Sequence, residues 1–221
     1  MQINTIILDD CKNVLITLPD KSINLSLIDP PYNASTSKIV VDKMHYKTVG
    51  SKDQDFDYNF DPALLFPEYK RVSQNLLIFC SYHLLGTYLN IEYPKRILHW
   101  YKTNPMPSFR GQPAFSVEYI LWYGDKYYGK GSKHDVYRYP ICQGSERTEH
   151  PTQKPLKLII DLMNDFSQDG DLVLDGYAGS GTTAIAAIRT KRNFLCVENN
   201  EKFFDIAKKR ITLELSQKGL F

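Results

Sequence analysis

The chain of 221 residues lacks the features that mark membrane and secreted proteins. No apolar run approaches the ~20 residues that a membrane-spanning helix requires, and the first residues lack the basic and apolar regions of a signal peptide. The four cysteines are widely spaced and form no CxxC pair, which indicates reduced core thiols in an intracellular protein. We therefore expect a soluble, cytoplasmic protein without a membrane partner.

Metal-ligand spacing, internal repeats and linkers are also lacking. Cys142 with His134 and His150 matches no familiar zinc pattern, so no metal is expected. A hydrophobic content of 43% is enough for one α/β domain with an ample core, whereas two full domains would be cramped. We predict a single domain over residues 1–221.

The chain has no large excess of charge of either sign, since its net charge is only +2, but the charged residues are unevenly distributed. Residues 95–154 contain ten Lys and Arg and five Asp and Glu, so this stretch carries +5 and the remainder −3. Eleven aromatic residues are interleaved with the basic ones, which is typical of surfaces that neutralise phosphates and stack bases. Aromatic residues are also ordinary core residues, and we expect Trp100 and Trp122 to be mostly buried.

The strongest positive feature is Asp29-Pro30-Pro31-Tyr32, which directly follows the apolar run 23–28. This run predicts a strand, so Asp29 lies at a strand's carboxyl end, where open α/β sheets place their chemistry. The two prolines remove two backbone N–H donors and leave an extended rim of acceptors with an aromatic ring beside it. By itself the same pattern also fits a strand that ends at a Pro-Pro turn.

Such a rim suits a reaction at the exocyclic amine of a nucleobase. This nitrogen is a poor nucleophile while its lone pair is delocalised into the ring. A carboxylate and a neighbouring carbonyl can accept both amine hydrogens and aim the lone pair at an electrophile, and Tyr32 is suited to stacking on the base.

The remaining periodicity predicts alternating strands and helices. Two strands, at residues 3–8 and 23–28, both end in acids, and we expect them to be neighbours that share one crevice. Residues 33–60 are predicted to be a long mobile loop. Further strands are predicted at 76–80, 97–101, 116–123, 171–175 and 193–197, and helices at 12–18, 63–73 capped by Asp61, 82–89, 155–166 capped by Thr152, 182–190 and 201–216.

Residues 175–183 predict a strand, a glycine turn and a helix start, which together form a cradle for an anion or a cofactor. Thr182 stands where the lysine of a phosphate loop should be, which disfavours an NTPase. Gly179 and Gly181 also fit a relaxed dinucleotide pattern, with Glu198 as the acid that binds a ribose.

S-adenosylmethionine is the third ligand that fits this cradle. Its ribose likewise needs an acid after the second strand, and the Asp175 carboxylate suits its cationic amino-acid end better than a diphosphate. A hydride-transferring enzyme would leave the Asp29 rim unexplained.

With these pieces in place, the chain resembles the β class of S-adenosylmethionine-dependent DNA amino-methyltransferases, the N6-adenine and N4-cytosine family. The resemblance implies a Rossmann-like methyltransferase fold, that is, a mostly parallel twisted sheet with helices on both faces, with the motifs in circularly permuted order. The matching pieces are Asp10-Cys11, Asp29-Pro30-Pro31-Tyr32, Trp100-Tyr-Lys-Thr-Asn-Pro105, His150-Pro-Thr-Gln-Lys-Pro155, Asp175 with Gly179-Ser-Gly-Thr-Thr183, and Glu198-Asn199.

The resemblance also implies a role for each matching residue. In the catalytic motif, which also includes Pro31, Asp29 and the Pro30 carbonyl would hold the target amine, and Tyr32 would stack on a base extruded from the duplex. The residues implied in binding S-adenosylmethionine, and later its product S-adenosylhomocysteine, are Asp10 and the Cys11 backbone at the adenine, Glu198 at the ribose, and Thr152, Lys154 and Asp175 at the methionine end. Asp29, Asn199 and the turn residues Tyr177, Ala178, Gly179, Ser180, Gly181, Thr182 and Thr183 complete the implied cofactor site.

Two departures from the family stand out. Family members usually have Asp-Pro-Phe where this chain has Asp175-Gly176-Tyr177, which is expected to loosen the turn. The chain also leaves little room for a separate target-recognition domain, so residues 33–60 and the insertions within 102–149 are expected to recognise DNA.

The implied activity is site-specific methyl transfer to adenine N6 in double-stranded DNA by base flipping. Aspartate at position 29 favours adenine, and cytosine N4 is the alternative. A silent DNA-binding module and an RNA or protein amide methyltransferase stay open. A homodimer and a separate restriction nuclease are partners that the resemblance allows, in a prokaryotic or viral setting.

Overall fold

The apolar runs assemble into one sheet that, within the described part of the chain, has eight strands. The computed structural model describes residues 2–32, 60–106, 113–130 and 134–218. In chain order the strands are β1 Thr5–Leu8, β2 Ile23–Ile28, β3 Ser73–Cys80, β4 Arg96–Lys102, β5 Val117–Tyr123, β6 Val136–Tyr139, β7 Leu172–Asp175 and β8 Asn193–Glu198. Across the sheet the order is β1-β8-β7-β2-β3-β5-β4-β6, and β5 runs antiparallel to both of its neighbours while the other pairs are parallel.

Helices cover both faces of this sheet because the side chains of each strand alternate between two cores. On β3, Leu77 and Phe79 face one core while Leu76 and Ile78 face the other. The first core is closed by α4 Leu156–Phe166, α5 Thr182–Arg189 and α6 Glu201–Lys218, and the second by α1 Cys11–Leu15, α2 Pro62–Val72 and α3 Tyr82–Ile91. The predicted fold is confirmed.

The prediction that the first two strands are neighbours is wrong. β8 and β7 lie between β1 and β2, because the last β-α-β unit of the chain inserts there. From β2 the chain continues to β3 on one side, and from β7 it continues to β8 on the other. The sheet therefore changes winding direction between β2 and β7, which is the place where open α/β sheets form their ligand crevice.

The predicted helix cap at Thr152 is also wrong. Pro155 is the N-cap residue of α4, and its side chain makes no capping bond. The Glu146 carboxylate accepts the Leu156 N–H at 2.9 Å instead, so a residue ten positions away caps the helix. The other predicted cap is confirmed, since the Asp61 side chain accepts the Ala63 N–H.

β6 was not predicted, because it is a four-residue edge strand in a polar stretch without clear periodicity. Its register is held by tertiary contacts: the Tyr137 hydroxyl donates to the Asp165 carboxylate at 2.8 Å, and the Trp100 indole N–H donates to the Tyr139 carbonyl at 2.8 Å. The predicted loop at 33–60 lies outside the described residues except for Phe60, as do positions 107–112 and 131–133 of the predicted insertions.

Several predictions of burial are confirmed. Trp100 and Trp122 are 2% and 8% exposed. The four cysteines are buried free thiols. Among the described helices, none combines the length and the apolar character needed to cross a membrane.

Candidate active site at the carboxyl edge of the sheet

Four carboxylates follow one another along the edge where the parallel strands end. In the order of the strands β1, β8, β7 and β2 they are Asp10, Glu198, Asp175 and Asp29. Leu8 pairs with Glu198 and Asp175 pairs with Cys196, so the strand ends are nearly level. The arrangement is a row of acids along one crevice.

A cavity lies at the centre of this row and joins the Asp29 rim to the glycine turn. Its walls also include Thr152 and Lys154 from the turn before α4, so these two residues share the cavity with the Asp29 rim and the glycine turn. The predicted site residues that line it are Asp29, Thr152, Lys154, Asp175, Tyr177, Ala178, Gly179, Ser180, Thr182 and Thr183.

The other predicted cofactor residues do not line this cavity. Gly181 is the N-cap of α5, and Glu198 contacts the glycine turn. Asp10 caps α1 through the Lys12 N–H, Cys11 is buried, and Asn199 is exposed next to Glu198. Asp10, Cys11, Glu198 and Asn199 lie at the carboxyl end of β1 or β8, further along the same edge of the sheet.

Two of the carboxylates hold the glycine turn in shape. Asp175 accepts the Tyr177 N–H at 2.9 Å through Oδ1 and the Thr183 hydroxyl at 2.6 Å through Oδ2. Glu198 accepts the Gly179 N–H at 2.7 Å. Gly179 has φ +51°, and a Cβ there would lie 2.9 Å from His150 Nε2, so glycine is required on both counts.

Burial shifts the pKa values of the groups around this turn. Burial raises the pKa of Asp175 to about 7, although the bonds from Thr183 and Tyr177 oppose the shift. Burial also raises the pKa of Glu198, against the lowering effect of its backbone donors. Burial lowers the pKa of His150 to about 4, so this imidazole is neutral at neutral pH.

The replacement of Asp-Pro-Phe by Asp175-Gly176-Tyr177 has a structural explanation. The Tyr69 hydroxyl occupies the space that a Cβ on residue 176 would take, and the Cys11 Cβ closes the other side at 3.0 Å. Tyr69 is 1% exposed and lies beside the Tyr177 ring. The turn is therefore packed against Tyr69, and the expectation of a looser turn is not met.

Gly176→Ala should consequently lower the unfolding temperature and weaken cofactor binding. The added methyl overlaps the Tyr69 hydroxyl, and overpacking of this kind typically costs about 1–3 kcal/mol. Tyr69→Phe removes that hydroxyl, so the double variant should recover part of the loss. Thermal unfolding of the two single variants and the double variant measures the coupling, and purely additive effects would contradict the packing explanation.

The Asp29 carboxylate belongs to a partly buried ionic cluster. Lys154 Nζ donates to Asp29 Oδ2 at 2.5 Å and lies 3.1 Å from Glu118 Oε1. Lys102 Nζ lies 2.9 Å from Glu118 Oε2. The Tyr32 hydroxyl lies 2.7 Å from Asp29 Oδ1 and 2.6 Å from Glu118 Oε1. We name Asp29, Tyr32, Lys102, Glu118 and Lys154 the rim cluster.

The pKa values of the two carboxyl groups in the rim cluster shift in opposite directions. Burial, helped by the Glu118 charge, raises the pKa of Asp29 despite the opposing effect of Lys154. Burial acts in the same direction on Glu118, but Lys154 and Lys102 together outweigh it and lower the pKa of that carboxyl. Burial lowers the pKa of Lys154, yet Asp29 and Glu118 dominate and raise it.

Glu118 was missed in the sequence although it gives a signal. It is an acid within the strand Val117–Tyr123, whose other members are mostly apolar or aromatic, and it is 7% exposed. A charge in such a strand must have a partner of opposite sign. The sequence could not show that the partners are Lys102 on β4 and Lys154 in the turn before α4.

The Tyr32 ring is held in place by the same cluster. Its hydroxyl bonds within the rim cluster, and Lys154 Nζ lies 5.3 Å from the ring centroid. Lys154 itself contacts the rim rather than the glycine turn, although its side chain lines the shared cavity.

The comparisons with known proteins agree with this fold. The family described as DNA methylase, N6_N4_Mtase, matches residues 23–209. The type II methyltransferase M.HinfI of Haemophilus influenzae is 29% identical over 95% of this chain and 68% of its own length. The crystal structure of an M1.HpyAVI–SAM complex has a TM-score of 0.69 and 26% identity, covering 93% of this chain and 98% of that chain. The cytosine-N4-specific PvuII DNA methyltransferase shares the fold, with a TM-score of 0.68 at 14% identity over 96% of this chain and 91% of that chain.

The fold and the acid-lined crevice define an α/β transferase of the Rossmann-like methyltransferase class. The chain belongs to the DNA methylase family of S-adenosylmethionine-dependent DNA amino-methyltransferases. The predicted family and the predicted cofactor, S-adenosylmethionine, are both confirmed at this level.

The residues present fit this cofactor. Gly179 lines the cavity and, without a Cβ, lets the backbone of the turn approach a ligand closely. The N-cap residue of α5, Gly181, makes no side-chain capping bond, and Thr182 and Thr183 at the start of this helix line the cavity, so a carboxylate can bind at this helix end. Asp175 supplies the charge for an ammonium group.

Proposed function

We propose that this protein transfers a methyl group to adenine N6 in double-stranded DNA, acting on a base flipped out of the duplex. The observation that carries the proposal is the cavity between β2 and β7, which is lined by both Asp29 and Asp175. One carboxylate is thereby available to the target amine and the other to the methyl donor, within a single crevice.

The rim residues would make the amine reactive. The Asp29 carboxylate and the Pro30 carbonyl accept the two amine hydrogens, which localises the nitrogen lone pair and orients it towards the cavity. Lys154 and the Tyr32 hydroxyl hold the Asp29 carboxylate in place. Pro30 is buried and Pro31 continues the extended segment, so the carbonyl position is rigid.

The cofactor residues would act at the neighbouring strand ends. Asp175 and the start of α5 bind the amino-acid end, Thr152 closes the cavity, Glu198 and Asn199 bind the ribose, and Asp10 with the Cys11 backbone binds the adenine. When bound, S-adenosylmethionine supplies an electrophilic methyl group on a sulfonium, so no metal is needed to activate the leaving group.

Exposed aromatic residues beyond the rim support a nucleobase partner. Tyr82 follows β3 and Phe115 precedes β5, and their rings stack with centroids 5.6 Å apart and an interplanar angle of 11°. They are 49% and 65% exposed, and Met106 nearby in the chain is 69% exposed. Stacking surfaces of this kind accept unpaired bases without sequence preference. Residues 33–60 and 102–149 remain the proposed recognition elements.

Cytosine N4 is the second candidate target. The rim presents the same acceptors to either exocyclic amine, and the PvuII enzyme, which shares the fold, is cytosine-N4-specific. Aspartate at position 29 is the feature that favours adenine.

Modification-sensitive sequencing of DNA from cells that express the protein tests the proposal. Wild-type protein should place N6-methyladenine at one short sequence, and Asp29→Ala should leave the DNA unmodified. N4-methylcytosine at a discrete site would establish the second candidate instead. The absence of any new modification with well-folded, cofactor-binding protein would contradict both.

A further inference from the structure

Glu118 competes with Asp29 for hydrogen-bond donors. In the described part of the chain, two side chains donate to the Asp29 carboxylate, Lys154 and Tyr32, and both also reach Glu118 Oε1. The Tyr32 hydroxyl has one hydrogen for two carboxylates at 2.7 and 2.6 Å. The hydrogen that bonds to Glu118 is therefore not bonded to Asp29.

The charges of the rim cluster balance only if Glu118 is ionised. Asp29 and Glu118 carry two negative charges against the two positive charges of Lys102 and Lys154. Lys102 bonds the outer oxygen of Glu118, and its ammonium lies 4.9 Å from the Trp100 ring centroid, so Glu118 is held from the side away from the cavity. Glu118 does not line the cavity between Asp29 and Asp175.

This sharing matters because Asp29 must accept hydrogens from the target amine. A carboxylate that is fully engaged by an ammonium and a phenol is a weaker acceptor for a further donor. A second carboxylate that draws both donors towards itself restores the accepting capacity of the first.

We propose that Glu118 is a positioning residue for methyl transfer, which shares Lys154 and the Tyr32 hydroxyl with Asp29 and so leaves the Asp29 oxygens able to accept the amine hydrogens. The proposal rests on the proposed function, because it assigns Asp29 to the target amine. Glu118 itself touches neither the base nor the cofactor.

The proposal predicts a displacement of the pH profile. The Glu118 charge raises the pKa of Asp29, so removal of this charge should lower that pKa and move the acidic limb of kcat to lower pH. Asp175 has a pKa of about 7 and acts in cofactor binding. At saturating S-adenosylmethionine its titration does not contribute to the pH dependence of kcat. The other ionisable groups that interact with the rim cluster all titrate far from neutral pH. Burial raises the pKa of Cys80 to about 12, raises that of Cys142 to about 11 and raises that of Tyr88 well above its ordinary value, and it lowers the pKa of His150 to about 4.

The test compares Glu118→Gln with wild type and with Glu92→Gln. The control removes the same charge from an ion pair with Lys70 elsewhere on the molecule. Glu118→Gln should lower kcat roughly tenfold to hundredfold, the loss expected when charge-assisted hydrogen bonds are weakened, and move the acidic limb to lower pH. Its affinity for S-adenosylmethionine, measured by calorimetry, should stay within about twofold of wild type, and Glu92→Gln should match wild type in all three measurements.

Three outcomes would overturn the proposal. The first is a kcat of Glu118→Gln equal to that of wild type. The second is an acidic limb of the kcat profile at its wild-type position together with a lowered unfolding temperature. The third is a loss of affinity for S-adenosylmethionine that parallels the loss of kcat. If Glu118→Gln does not fold, Glu118→Asp takes its place: a reduced kcat with the acidic limb at its wild-type position supports the proposal, and an unchanged kcat contradicts it. Lack of DNA methylation by wild-type protein would instead refute the proposed function.

Discussion

Asp29→Ala should abolish detectable methyl transfer, with a loss in kcat of about a hundredfold to a thousandfold, while cofactor binding stays nearly intact. The substitution removes the carboxylate that accepts the amine hydrogens, and the loss of one preorganised group of this kind costs about 10²–10³ in rate. Lys154 keeps Glu118 as a partner at 3.1 Å, so the variant retains a paired buried cation and should fold. Radiolabel transfer to DNA and calorimetric titration with S-adenosylmethionine measure the two effects separately.

Asp29→Asn is the matched control for this variant. Its amide oxygen can still accept one amine hydrogen, so it should retain more activity than Asp29→Ala. Equal and complete loss in both variants would show that the charge itself is needed, whereas retained activity in Asp29→Ala would refute the assignment of the rim.

Asp175→Asn should weaken binding of S-adenosylmethionine about tenfold or more and yet stabilise the protein at pH 8. Asp175 is 5% exposed, and burial raises the pKa of its carboxyl to about 7 from an ordinary value of 3.8. An asparagine can keep the hydrogen bond from the Tyr177 N–H and donate to the Thr183 hydroxyl, so the substitution removes a buried charge without emptying the turn.

The pH dependence of this stabilisation follows from the raised pKa. Between pH 3.8 and about 7 the unfolded chain has released the Asp175 proton while the folded protein keeps it. The free energy of unfolding therefore falls as pH rises through this window, by about 4 kcal/mol at 1.36 kcal/mol per pKa unit. Asp175→Asn lacks this loss and should unfold at a higher temperature than wild type at pH 8 but not at pH 4.

The control for this second experiment is Asp125→Asn, which removes an exposed carboxylate paired with Lys95. It should change neither cofactor affinity nor the pH dependence of unfolding appreciably. A wild-type cofactor affinity in Asp175→Asn would contradict the role of Asp175, and an equal stability difference at pH 4 and pH 8 would contradict the raised pKa.

The sequence was sufficient to predict those elements that depend on residues close together in the chain. The strands that end in Asp29, Asp175 and Glu198 have clear apolar patterns, and the structure places all three acids along one edge. The Asp61 cap and the glycine turn likewise depend on residues close in the chain.

The features that the sequence did not reveal depend on distant contacts. The insertion of β7 and β8 between β1 and β2 is a choice of topology that no local pattern determines. Glu146 caps α4 from ten residues away, and Tyr69 occupies the space beside Gly176 from more than a hundred positions away. Glu118 likewise gains its ion-pair partners only when β4, β5 and the turn before α4 pack together in the fold.

The most direct test of the central claim is the identity of the methylated nucleoside. Purified protein is incubated with duplex DNA and S-adenosylmethionine that carries an isotopically labelled methyl group, and the DNA is digested to nucleosides for mass spectrometry. The account predicts label in N6-methyldeoxyadenosine and none in that product with Asp29→Ala. Label confined to N4-methyldeoxycytidine, or unlabelled DNA despite bound cofactor, would contradict it.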